Sequence, residues 1–159
     1  MKTEFEKLQE AGFMGFIDIK TLKEYSGHLP REKGVYVVLR MSENDPVFLE
    51  KGSGGFFKGK NPNVSLSKLR ENWIDDSQIM YIGQTTTSLQ SRLSQYLRFG
   101  SGMAVGHYGG RYIWQLKDSD KLVFAWKTLP STDTRAYERT MLQDFLNTHG
   151  ALPFANLTL

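Results

Sequence analysis

Lys33-Gly34-Val35-Tyr36-Val37-Val38-Leu39 holds the best strand candidate in the chain. A β-branched and aromatic run set off by glycine reads as a strand. Working outward, Ile79-Met80-Tyr81-Ile82-Gly83 reads as a second strand and Leu122 to Leu129 as a third, broken by Pro130. Thr87 and Gln90 have capping-box spacing, which opens a helix through Leu97 with Leu89, Leu93, Tyr96 and Leu97 on its apolar stripe and Gly100 at its end. Asp133 or Thr134 caps a last helix to about Asn147, closed by Gly150. Residues 1–33 read as a helical extension: Thr3 and Glu6 form a capping box for a helix to Glu10, Gly12 stops it, and a short helix covers Ile19 to Tyr25. The expectation is one α+β domain over residues 1–159, built on a small central antiparallel three-stranded sheet flanked by helices.

Between the first two strands lies a long insertion, residues 41–78. It holds a short strand candidate at Val47 to Glu50 and a helical pattern from Ser65 to Trp73. Between those, Gly52 to Pro62 contains four glycines, a proline and no acid, which predicts an exposed, mobile basic loop.

Charge is distributed unevenly along the 159 residues. Residues 1–50 carry nine acids against seven bases, residues 51–117 nine bases against three acids, and residues 118–159 five acids against four bases. No carboxylate occurs from Ser77 to Lys117. A segment that keeps arginines and avoids acids is what a polyanion-facing surface requires. The chain has no cysteine, which excludes a disulfide framework, a thiolate zinc site and a cysteine nucleophile. Its three histidines are too far apart for a His-x-x-x-His pair. No apolar run approaches the roughly 20 residues of a membrane span, and the acidic N-terminus does not read as a signal peptide. A cytoplasmic location without membrane contact is expected.

Gly34-Val-Tyr36 and Tyr81-Ile-Gly83 resemble the paired tripeptides that name the GIY-YIG endonuclease superfamily. The residues after them keep the family's order. Arg92 stands nine residues after Gly83, Tyr96 is one helical turn later, Glu138 lies early in the last long helix, and Asn156 is near the C-terminus. The likeness spans residues 34–156. It departs from the family in the connection between the motif strands, which is usually short and here takes residues 37–80. Loop-closure cost grows only logarithmically, so strand pairing tolerates this.

The resemblance implies a metal-dependent endonuclease that hydrolyses DNA phosphodiester bonds with a tyrosine general base and one divalent cation, Mg²⁺ or Mn²⁺. In that reading Tyr36 takes a proton from the attacking water and Arg92 depresses its pKa while stabilising transition-state charge. Glu138 anchors the metal, Tyr81 and Tyr96 bond phosphate or each other, and Asn156 holds one of these groups in place. His107, in Gly106-His-Tyr-Gly-Gly-Arg111, is a secondary base or phosphate contact. Tyr81 and His107 stay open as alternatives for the base. Gly83 leaves room for a phosphate backbone, and the N-terminus of the helix after Thr87 receives a further phosphate. Lys58, Lys60, Arg98 and Arg111 extend contacts along DNA, duplex or branched. Phe56 and Phe57 either stack on bases or clip the loop down. No helix-hairpin-helix or zinc finger is present, so specificity is expected from the domain itself, from a homodimer mate or from a protein partner.

Each residue also has a plainer reading. The tyrosines can be core aromatics, Arg92 an exposed helix residue, Glu138 a dipole partner, Asn156 a turn former and His107 a loop histidine. A non-cleaving nucleic-acid-binding module on the same fold is the alternative at the level of function.

Overall fold

A computed structural model describes residues 2–159. The elements run α1 (Glu4–Glu10), β1 (Met14–Asp18), α2 (Ile19–Tyr25), β2 (Gly34–Leu39), α3 (Leu66–Asn72), β3 (Ile79–Thr85), α4 (Leu89–Gly100), β4 (Val123–Thr128) and α5 (Thr134–His149). The strands form one antiparallel sheet in the order β1-β4-β2-β3. The α+β class stands, but the sheet has four strands rather than three. Among the described residues no helix is long and apolar enough to cross a membrane.

The extra strand, β1, lies inside the extension expected to be helical. Its signal is masked because Gly15 and Phe16 both take positive φ, 92° and 56°, and shift the register against β4. Gly15 is obligatory there: a Cβ would sit 2.5 Å from the Trp126 ring. The distortion removes the strict alternation by which a half-buried strand is recognised.

β2 is the spine of the sheet and all six of its residues are buried. Alternation sends Tyr36 and Val38 to one face, where they pack with residues of α2, α4 and the 3₁₀ segment Tyr108–Gln115. Val35, Val37 and Leu39 go to the other face, where α1 and α5 supply Leu8, Leu142 and Phe145. Tyr81 pairs with Val38 and so shares the face of Tyr36; a bulge opposite Met80 follows between Val38 and Leu39. Helix caps follow the sequence, with Thr3, Asp18, Ser65 and Asp133 each accepting from first-turn N–H groups. The α4 cap is Ser88, not Thr87, and Gln90 donates instead to the Gly27 carbonyl.

The insertion is more ordered than its composition suggests. Val47 to Glu50 forms only an isolated bridge, Phe48 to Leu116. Gly52 to Pro62 is fastened down: Ser53 N–H donates to the Trp114 carbonyl at 3.1 Å and Gly55 N–H to that of Phe99 at 2.9 Å. A Cβ on Gly55 would lie 2.0 Å from the Met103 carbonyl oxygen, so the glycines permit backbone-to-backbone contact rather than looseness. Gln115, fully buried, stitches the insertion to the domain by donating to the Leu49 and Val64 carbonyls and accepting from the Val64 N–H.

Candidate active site

Five side chains from four separate segments meet on one face of the sheet. β2 carries Tyr36, β3 carries Tyr81, α4 carries Arg92 and Tyr96 one turn apart, and the loop before the 3₁₀ segment carries His107. The Tyr36 ring centroid lies 6.1 Å from Tyr81, 6.5 Å from Tyr96 and 6.3 Å from His107. His107 stacks flat on Tyr96, at 3.6 Å and 8°. Its Nε2 is 2.9 Å from the Tyr36 hydroxyl. His107 is 1% exposed and its Nδ1 has no partner.

Arg92 is half-buried and reaches this cluster. Its Nη1 donates to Gln95 Oε1 at 3.0 Å and to the Gly106 carbonyl at 3.1 Å, which fixes the backbone just before His107. Gln95 carries no signal of its own in the sequence, being one more polar residue on a polar helix face.

Burial governs the electrostatics. It pushes the Tyr36 phenol well above its ordinary value, with the neighbouring Tyr81 adding to the effect, and Arg92 opposes this without overcoming it. Tyr81 is pushed up to about 12, again chiefly by burial. The depressed tyrosine pKa expected from the sequence is therefore not what the site provides. Burial and then Arg92 push His107 well below the ordinary histidine value. At neutral pH the pair is a phenol facing a neutral imidazole.

Tyr96 is committed elsewhere: its hydroxyl donates to the Gly110 carbonyl at 2.5 Å. It stacks on His107 and makes no hydrogen bond to Tyr81. Gly110 is a site residue that the sequence does not single out, although a Cβ there would lie 2.4 Å from the Tyr96 hydroxyl and 3.1 Å from Tyr81 Cζ. Its only signal is the doubled glycine two residues after His107.

Gly83 has a different reason to be glycine than room for phosphate. It pairs with Tyr36 across β2 and β3, and a Cβ would lie 2.4 Å from Tyr36 Cζ. Asn156 acts through the backbone. Its amide accepts from Ile82 N–H and donates to Ile82 carbonyl, both at 2.9 Å, clamping the residue between Tyr81 and Gly83. The N-terminus of α4 does not receive a phosphate, because Leu89 and Gln90 N–H donate to Glu32 and Pro30 carbonyls and Ser88 takes Ser91 N–H.

Glu138, on α5, is half-buried. Its charge is near enough to oppose ionisation of both Tyr36 and Tyr81. Burial raises its own pKa. Among the described residues nothing forms a hydrogen bond or ion pair with its carboxylate. A partly desolvated, unpaired hard oxygen donor suits one Mg²⁺ or Mn²⁺ completed by waters and phosphate. No group of three or more candidate ligands exists among the described residues, so a cage of protein carboxylates is not on offer.

Of the predicted DNA contacts, Lys58, Lys60 and Arg98 are exposed. Arg111 is half-buried, with its guanidinium 4.0 Å above the Tyr108 ring. A cavity of about 780 Å³ lies away from the tyrosines, beside α1 and the end of α5. Its lining has six carboxylates, among them Asp75, Asp76 and Asp144, against the bases Lys2, Lys7 and Arg40, an acidic excess that disfavours phosphates. No family model matches the chain, and neither a curated protein nor a solved structure matches it.

Proposed function

We propose that the protein is a metal-dependent endonuclease of GIY-YIG type that hydrolyses DNA. The observation that carries this reading is the meeting of Tyr36, Tyr81, Arg92 and His107 within one buried cluster that also feels the charge of Glu138. These residues are scattered over a hundred positions, and a shared site is what the chemistry of phosphodiester cleavage needs.

The hydroxyl of Tyr36 is the proton relay. As water attacks phosphorus, its proton passes to Tyr36 Oη while the phenolic proton passes to His107 Nε2, 2.9 Å away. Tyrosine ends neutral and the imidazole ends protonated, so no free phenolate is required. Arg92 makes that imidazolium unfavourable until the negative phosphate arrives, which couples proton transfer to substrate binding. Arg92 and the Tyr81 hydroxyl are the donors available to the non-bridging oxygens. Glu138 would hold one divalent cation, whose chemistry is charge neutralisation at the phosphate and the departing oxygen.

A second reading, binding without cleavage, is favoured by one observation: Tyr36 is only 1% exposed. Supercoiled plasmid with Mg²⁺ or Mn²⁺ separates the two. Metal-dependent nicking by the wild type and none by Glu138→Ala supports the nuclease. Salt-sensitive binding without nicking selects the second reading, and neither binding nor nicking rejects both.

A further inference from the structure

The two phenylalanines of the insertion have opposite fates. Phe57 is half-buried and turned toward the site, within 3.4 Å of where a Cβ on Gly106 would lie. Phe56 points out and is 49% exposed. A tight turn follows them, with Lys58 and Gly59 at φ of 54° and 74°. Met103, 50% exposed on the segment joining α4 to His107, has its carbonyl pressed against Gly55, the residue before Phe56. Two exposed large apolar side chains thus rise from backbone segments that touch at Gly55, and each is joined by a few residues of chain to a group at the site.

Their surroundings choose the occupant. Lys58 and Lys60 are exposed on the insertion and Arg98 in the last turn of α4, and neither residues 51–70 nor 77–117 contain a carboxylate. Tyr108 braces the arrangement, donating to the Asn61 carbonyl at 2.9 Å under the Arg111 guanidinium. Exposed apolar side chains with cations close by in the chain and a half-buried neighbour behind them suit bases with phosphates on either side. An uninterrupted duplex hides its base faces, whereas unpaired bases expose them.

Resting on the nuclease reading, we propose that Phe56 and Met103 form a wedge that engages unpaired bases, so that the preferred substrate is DNA at a junction of duplex and single strand. Lys58, Lys60 and Arg98 hold the flanking phosphates, and the wedge sets which phosphodiester faces Tyr36.

The test is fluorescence anisotropy in EDTA, comparing a continuous duplex with a splayed-arm fork of equal length and charge. The wild type should bind the fork on the order of 10-fold more tightly, the size expected of base stacking on one or two side chains. Phe56→Ser with Met103→Ser should lose that preference while keeping its duplex affinity and salt slope. Both side chains are exposed, so the fold should hold, and Phe56→Trp should keep the preference. Equal affinity of the wild type for fork and duplex overturns the wedge but leaves the nuclease reading standing. A double variant that retains the preference overturns the assignment to these residues. No binding to any DNA removes the nuclease reading, and the wedge with it.

Discussion

Tyr36 and Gly83 face each other across β2 and β3, and the tyrosine ring occupies the space where a Cβ of residue 83 would stand, 2.4 Å from Tyr36 Cζ. Each motif strand therefore needs the other's residue: the glycine of one makes room for the tyrosine of the other.

Gly83→Ala should force that ring aside. Overpacking a fitted core costs about 1–3 kcal/mol, readable as a lower midpoint in urea with unchanged slope. Activity should fall further than stability accounts for, because the displaced hydroxyl leaves His107. A variant with wild-type midpoint and turnover would show that the ring yields freely.

Tyr36→Phe removes one buried oxygen and strands His107 Nε2 as a second unpaired ring nitrogen beside Nδ1. The expected cost is about 1–3 kcal/mol, so this substitution is not silent in stability. Turnover should drop ~10²–10⁴-fold if the hydroxyl relays the proton. Turnover near wild type across pH would shift the role to Tyr81.

His107 carries a pH signature. Its folded-state pKa lies well below the ordinary 6.5, so between those values the unfolded chain binds a proton that the folded chain does not. Stability is therefore full above about pH 6.5 and declines as pH falls toward the folded value. His107→Gln should flatten this decline, as followed by urea unfolding at several pH values. An unchanged slope would mean His107 takes up its proton without cost.

Lys58→Ala with Lys60→Ala removes two exposed cations from a loop held in place by its own backbone contacts. DNA affinity should fall for all sequences, and the slope of log K against log salt should shrink by about 2. Nicking at saturating DNA should be little changed. A slope equal to that of the wild type would place these lysines off the DNA path.

Strands, helices and the ordered residues of the site are legible in the sequence wherever a local pattern carries them. Val35 to Leu39 alternates between two buried faces, and Asp133 announces α5. Thr87 and Ser88 illustrate the limit, since adjacent hydroxyl residues are equally able to cap and only the tertiary course of the chain chooses Ser88. The Tyr36–His107 bond joins positions 71 apart, and no spacing rule foretells it. The ionisation of Tyr36 is illegible for a related reason. The arginine beside it can be anticipated, but burial dominates, and burial belongs to the packed whole.

The clamp of Asn156 on Ile82 continues with Ala155 N–H bonding the Met80 carbonyl at 2.8 Å, so the C-terminal tail lies along the outer edge of β3. At the opposite edge, β1 is crooked at Gly15 and Phe16. Neither border of the sheet offers a straight row of free peptide groups, which is the template that strand-to-strand aggregation requires. Strand-to-strand addition of copies is thus disfavoured at both borders, and a β3 stripped of its tail would expose the peptide groups of Met80 and Ile82 to another chain.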